Sequence, residues 1–247
     1  MLPKHKISLA IVLGWALPAC ALAADGACRA RSDYDVTITD TALQFERKDA
    51  RSPAIEMQRG ALLLNHKPVV LGPEDRKRVA VFETRVRDLI PRIKLLGQRS
   101  VDLMVAAIRE EAIKASPKSA ASPELNARVD ARAQALKRKI AASRSSKEWR
   151  PEALSGVMTG MLGDVAPLIA GDLSQKAVDL TMKGDLGGVL ALKDEALQLR
   201  ASLEQRIRAR LDTLQPEIDR LCPALRELDR LESSIGAARV DLIKVDS

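Results

Sequence analysis

At Gly72-Pro73 the hydrophobic period of this chain changes from two to 3.6, and that change sets its architecture. Before it, apolar residues alternate: Tyr34, Val36 and Ile38, then Leu43 and Phe45, then Ile55 and Met57, then Leu62 to Leu64 and Val69 to Leu71. Turn formers separate them at Thr39-Asp40, Lys48-Asp49, Arg59-Gly60 and Asn65-His66-Lys67-Pro68. This predicts a meander of about five short antiparallel strands. A small sheet with one apolar face is not stable alone, so the rest of the chain must cover it.

After the switch, Pro73, Glu74 and Asp75 open a helix, with proline presetting φ and the acids complementing the positive helix end. Val79, Phe82, Val86, Leu89, Ile90 and Ile93 form one stripe. Pro91 predicts a kink, and a second helix after Gly97 carries Val101, Met104, Ala107, Ile108 and Ala112. Residues 116–123, rich in Ser and Pro, read as a linker or long turn. A third helix is expected over about 124–143 and an apolar fourth over about 151–182. A last helical region runs from Gly187-Gly188 to about Ile235. In it Ile207, Leu211, Leu214, Ile218, Leu221, Leu225 and Leu228 make a heptad seam interrupted by Pro216 and Pro223. The seam pairs within the chain or joins a homodimer, and the first is preferred. The tail from Arg239 to Val245 alternates weakly and could add a strand. The expected fold class is α+β, mainly α, a small N-terminal antiparallel β-meander packed against a bundle of long helices. Residues 24–72 form the meander and 73–247 the helical region, one domain together.

The first residues have the form of a secretory signal: a basic start, an apolar run of 11 residues from Ile7 to Leu17, and Ala21-Leu22-Ala23 as a small-residue cleavage site. The run is shorter than the ~20 residues that span a bilayer. Cleavage after Ala23 and a periplasmic location follow, with a lipoprotein anchored at Cys20 as the minor alternative. Of three cysteines, Cys28 and Cys222 then remain in an oxidising compartment, where a disulfide between them is expected, with two buried free thiols as the alternative. Such a bridge would tie the N-terminus to the last helix, and chain-entropy arguments value it at about 4 to 5 kcal/mol.

The residue inventory excludes several chemistries. Beyond residue 23 one histidine, His66, and four aromatics, Tyr34, Phe45, Phe82 and Trp149, remain. One imidazole and two distant cysteines cannot build a His-based zinc site. His66 lies in a turn and no G-x-S-x-G elbow accompanies it. Neither G-x-x-x-x-G-K-[ST] nor G-x-G-x-x-G occurs, and no calcium-loop motif is present. Four scattered aromatics make no stacking platform for single-stranded nucleic acid, so nucleic acid is not an expected partner. Adjacent acids such as Glu110-Glu111 and Asp194-Glu195 read as solvated helix surface, because neighbours on a helix point apart. No cofactor and no catalytic residue are assigned.

Charge is unevenly spread. The full chain has 40 basic and 33 acidic residues, and loss of Lys4 and Lys6 with residues 1–23 leaves a net charge of +5. Residues 124–150 hold Arg128, Arg132, Lys137, Arg138, Lys139, Arg144, Lys147 and Arg150 against Glu124, Asp130 and Glu148. The segment therefore carries that whole excess. Ending in Trp149, it could contact anionic headgroups, where each Lys or Arg contributes about 1 kcal/mol. The plain alternative is a solvated helix face.

The order of an export signal, Cys28, Tyr34-Asp35-Val36-Thr37-Ile38-Thr39, the Leu-rich hairpin around Asn65, Leu71-Gly72-Pro73 and Val86-Arg87-Asp88-Leu89-Ile90-Pro91 resembles the YggN-like family of proteobacterial periplasmic proteins, domain of unknown function 2884. The likeness covers most of the chain after the signal and is best from Cys28 to about Glu111; Cys222 fits it too. The family usually has Gly after the Asn or acid of the hairpin, where this chain has His66, so the turn type is open. The resemblance implies a Gram-negative envelope location and brings no activity with it. The expectation is a non-catalytic structural or binding accessory of the envelope, its partner an unknown envelope protein or an anionic lipid surface. An enzyme with an unrecognised carboxylate-based site is the competing expectation.

Overall fold

The computed structural model describes residues 29–47, 53–115, 120–149, 174–236 and 241–246. The period-two segment forms a five-stranded antiparallel sheet, β2 (Tyr34–Ile38), β3 (Leu43–Arg47), β4 (Ile55–Gln58), β5 (Ala61–Leu64) and β6 (Lys67–Pro68), in sequence order. Register puts Val36 opposite Phe45, Phe45 opposite Ile55, Leu43 opposite Met57 and Met57 opposite Leu62. Apolar side chains therefore share one face, the arrangement that stabilises a sheet by cross-strand pairs. Both two-residue turns have positive φ at both central positions, 49° and 80° at Arg59 and Gly60 and 50° and 63° at Asn65 and His66. That is the I′ pattern, whose twist matches paired strands. Asn65 and His66 thus make the turn whose type the sequence left open.

Ahead of the sheet, β1 (Arg29–Arg31) pairs antiparallel with β7 (Lys244–Asp246), so the weakly alternating tail does add a strand. β6 ends in Pro68, which cannot donate to a further strand. The outer edge of β2 is met by residues 144–146: Ile38 N–H donates to the Arg144 carbonyl at 2.8 Å and Val36 N–H to Ser146 Oγ at 3.0 Å.

The second helix expected after Gly97 is not separate, and one helix, α1 (Pro73–Ala115), continues through Pro91 and Gly97. Pro91 faces solvent, where the carbonyl it leaves unpaired can be hydrated, and buried residues on either side, from Leu89 to Val101, hold the helix together. Then come α2 (Pro123–Ala142), a 3₁₀ turn (Ser146–Trp149), α3 (174–182), α4 (Leu186–Asp212), α5 (Gln215–Asp219) and α6 (Cys222–Ser233). The last helical region is divided near Pro216 and Pro223 as their missing N–H groups require. The fourth predicted helix lies mostly outside the described residues, which retain only 174–182 of it. The fold is α+β and mainly α.

The chain separates into two compact units, Met1–Gly97, Ala142–Ala153 and Pro216–Ser247 on one hand, and Gln98–Ala141 with Leu154–Gln215 on the other. In the first, Tyr34, Leu43, Phe45, Ile55, Met57 and Leu62 of the sheet are buried together with Val79, Phe82, Val86 and Leu89 of α1. Phe45 and Phe82 meet with ring centroids 6.2 Å apart. In the second, Val101, Met104, Ala107 and Ile108 of α1, Leu125, Val129, Ala133, Leu136 and Ile140 of α2, and Ile207, Leu211 and Leu214 are buried. Six of the seven seam residues, all but Ile218, are buried within the chain itself.

Candidate functional site

The basic residues of 124–150 are divided between the two units and largely engaged. On α2 the buried stripe Leu125, Val129, Ala133, Leu136 and Ile140 turns the cations outward. Arg128 pairs with Glu124 one turn earlier at 2.6 Å, and Lys137 Nζ reaches both Asp102 carboxylate oxygens at 2.8 and 3.0 Å. Arg132 and Lys139 also have interactions, and Arg138 is exposed. Beyond the helix, Lys147 pairs with Glu46 on β3, and Arg144 approaches Asp40 at 4.0 Å. Arg150 lies outside the described residues. Trp149 is half-buried and donates its indole N–H to Ser143 Oγ at 2.7 Å, while Lys94 Nζ donates to the Ser143 carbonyl at 2.6 Å. Glu148 Oε1 accepts the N–H groups of Arg144 and Ser145. Residues 143–149 are thus folded against β2 and β3 rather than extended as a basic arm.

Four carboxylates are buried among the described residues: Asp35 of β2, which accepts from Ser146 Oγ at 3.3 Å, and three that organise the rest. Glu83 of α1, 7% exposed, accepts Arg59 N–H on Oε2 and Gly60 N–H on Oε1, both at 3.0 Å. One side chain thereby satisfies both amides of the β4–β5 turn and fastens the sheet to the helix. The same turn brings Gly60 so near α1 that a Cβ there would lie 2.8 Å from the Arg76 carbonyl oxygen.

Glu111, 4% exposed, accepts from Ser202 Oγ at 2.9 Å and is ion-paired with Arg206 of α4. Arg206 also reaches Glu110 at 3.1 Å, and Arg210 pairs with Glu110. Burial pushes the Glu111 carboxyl up, but hydrogen bonds from Arg206 and Ser202 and the charges of Arg206 and Lys114 outweigh it and hold the group below its ordinary range. Glu111 is therefore not solvated helix surface as its sequence neighbourhood suggested; α4 supplies the guanidinium that makes its burial tolerable. The side chains of Asp194 and Glu195 lie outside the described part of the structure.

Glu232 of α6 is 2% exposed and accepts Leu242 N–H at 3.0 and 3.1 Å and Ile243 N–H at 2.9 Å. Burial, opposed by these amides and reinforced by Asp229 and Asp241, pushes its carboxyl up to about 8.

Cys222, the first residue of α6, is buried with its thiol 3.9 Å from the Ile218 carbonyl oxygen and forms no disulfide among the described residues. Its expected partner Cys28 lies outside them, as do Cys20 and the whole of 1–23. His66 occupies an exposed turn. Among the described residues no three His, Cys, Asp or Glu side chains are grouped to hold a metal ion, and no helix is long and apolar enough to cross a membrane.

Glu83, Glu111 and Glu232 carried a signal that charge counting overlooks. Each is in phase with an apolar stripe: Glu83 between Val79 and Val86, Glu111 three after Ile108, Glu232 four after Leu228. A charged residue at a core position of an amphipathic helix must find partners there.

The family described as "Protein of unknown function (DUF2884)" matches residues 28–242. The chain belongs to that family. No curated protein and no solved structure matches it. The DUF2884 match runs from the residue before β1 to Leu242, whose amide Glu232 holds, so it takes in all three carboxylate anchors.

Proposed function

We propose that this DUF2884 protein is an exported accessory of the cell envelope that acts by binding another envelope component and not by catalysis. One observation carries the second half of this reading. Asp35, Glu83, Glu111 and Glu232, the buried carboxylates among the described residues, are each occupied by donors of their own fold: a serine hydroxyl, turn amides, an arginine and a serine, and tail amides. The export half rests on the signal-like residues 1–23. Formaldehyde crosslinking in intact cells, followed by purification under denaturing conditions and mass spectrometry, tests the reading. It expects a discrete adduct with one envelope protein. Recovery of the chain only as uncrosslinked monomer, or joined only to cytoplasmic proteins, counts against it.

A second reading, contact with an anionic lipid surface, keeps one point of support in the exposed Arg138 and Arg144. The pairing of Lys137 with Asp102 and of Lys147 with Glu46 reduces the charge available for it. Sedimentation with anionic vesicles above that with neutral ones, falling with salt and with Lys137, Arg138 and Lys139 changed to Gln, is the outcome this reading requires.

A further inference from the structure

The C-terminal segment 241–246 closes the first unit. Its last residues form β7 on β1, and Leu242 and Ile243 are buried beside α6. Its polar attachment to α6 is the Glu232 carboxylate, and the geometry of that attachment is asymmetric. Oε1 accepts both strap amides, Leu242 N–H at 3.0 Å and Ile243 N–H at 2.9 Å, whereas Oε2 receives only the second arm of the Leu242 bond at 3.1 Å. A proton placed on Oε2 therefore leaves both amide bonds standing. Both forms can therefore accept the strap amides, which favour the anion, but burial disfavours the anion more strongly.

Among the described residues no cation is paired with it, and the charges that act on it include Asp229 on α6 and Asp241 on the strap. Lys244 is committed to Asp241 at 3.0 Å and Asp33 at 3.3 Å, and Arg78 to Asp75 at 2.8 Å and the Ser234 carbonyl at 3.2 Å. Among the described residues Glu232 thus feels two carboxylates and receives no salt bridge.

We propose that 241–246 is a proton-controlled latch: neutral Glu232 keeps the strap closed on α6 and β7 in register on β1, and loss of that proton drives the strap open. Opening carries the charge to water, uncovers Leu242 and Ile243 and frees the edge of β1. The carboxyl sits near 4.5 when released and is pushed up to about 8 when closed, so rising pH favours the open strap across the interval between the two values, and the effect levels off above the upper one.

Amide hydrogen exchange of the full chain, corrected for the intrinsic pH dependence of exchange, tests this. In the wild type, protection of Leu242 and Ile243 is expected to fall about tenfold per pH unit from about pH 5 and to level off above about pH 8, with Val79 to Leu89 of α1 as the unchanging reference. Glu232→Gln is expected to remove that dependence. Identical pH profiles in the two proteins, or strap protection that is constant or rises with pH in the wild type, would overturn the proposal. Should the variant not fold, the Glu232 carboxyl of the wild type is followed by carbon NMR. A midpoint near 8, where the loss of strap protection levels off, supports the latch, and a midpoint at or below 4.5 refutes it.

Discussion

Removing the Glu83 carboxylate should undo the fastening of the sheet to α1. The side chain accepts two turn amides at 3.0 Å each, and the Gly60 bond is fully buried. Hydrogen bonds to a charged acceptor contribute about 1.5 to 3 kcal/mol each, so Glu83→Ala should cost about 3 to 6 kcal/mol, with the lower part of the range expected if water enters the space. Glu83→Gln keeps one acceptor oxygen but turns an NH₂ toward the other amide, and should cost about half as much. Arg59 adds to the effect, because its φ of 49° is unfavourable for a long side chain and the Glu83 bond helps hold it there. Urea unfolding of the two variants, read together with hydrogen exchange over residues 55–64, measures this. The argument is refuted if Glu83→Ala costs less than about 1 kcal/mol and protection of Arg59 and Gly60 is unchanged.

Gly60→Ala meets both a φ of 80° and a 2.8 Å approach to the Arg76 carbonyl, so a loss of about 2 to 4 kcal/mol in urea unfolding is expected, against a few tenths for Gly72→Ala, where nothing lies within 4 Å. Glu111→Gln should cost about 2 kcal/mol at neutral pH by giving up charge-assisted bonds to Arg206 and Ser202. Because folding holds the Glu111 carboxyl below its ordinary value, its contribution is present above pH 4.5 and is lost as pH falls through the folded value; acid unfolding curves of wild type and Glu111→Gln should converge there. The chain expressed with its own residues 1–23 should carry a Cys28–Cys222 disulfide, seen as a linked peptide in non-reduced digests. Cys28 directly precedes β1, whose partner β7 touches α6, and Cys222 begins α6. Two free thiols would remove that bridge.

The sheet was legible because period two and turn formers coincide along 34–71, and its register needed only the apolar face to be buried. The tail strand was legible for the same reason, although nothing in the sequence said that Arg29–Arg31 would be its partner. The division of α1 into two helices misled, because a proline on the solvent side of a helix, such as Pro91, costs less than one whose carbonyl partner is buried. The basic segment misled in another way. Its charge was summed within 124–150, whereas Lys137 and Lys147 find Asp102 and Glu46 at sequence separations of 35 and 101, beyond any window count. The buried acids were visible as core-phase positions, but their partners come from turns, tails and helices that only the folded chain assembles.

Export to the envelope underlies the whole functional reading, and the mass of the mature chain tests it most directly. Cells producing the full sequence are subjected to osmotic shock, and the released protein is weighed intact. The account predicts recovery in the shock fraction as a chain beginning at Ala24, two mass units short of the fully reduced value for the Cys28–Cys222 bond. A chain retained in the cytoplasm with residues 1–23 still attached, or one held in the membrane with a diacylglyceryl group on Cys20, would contradict it.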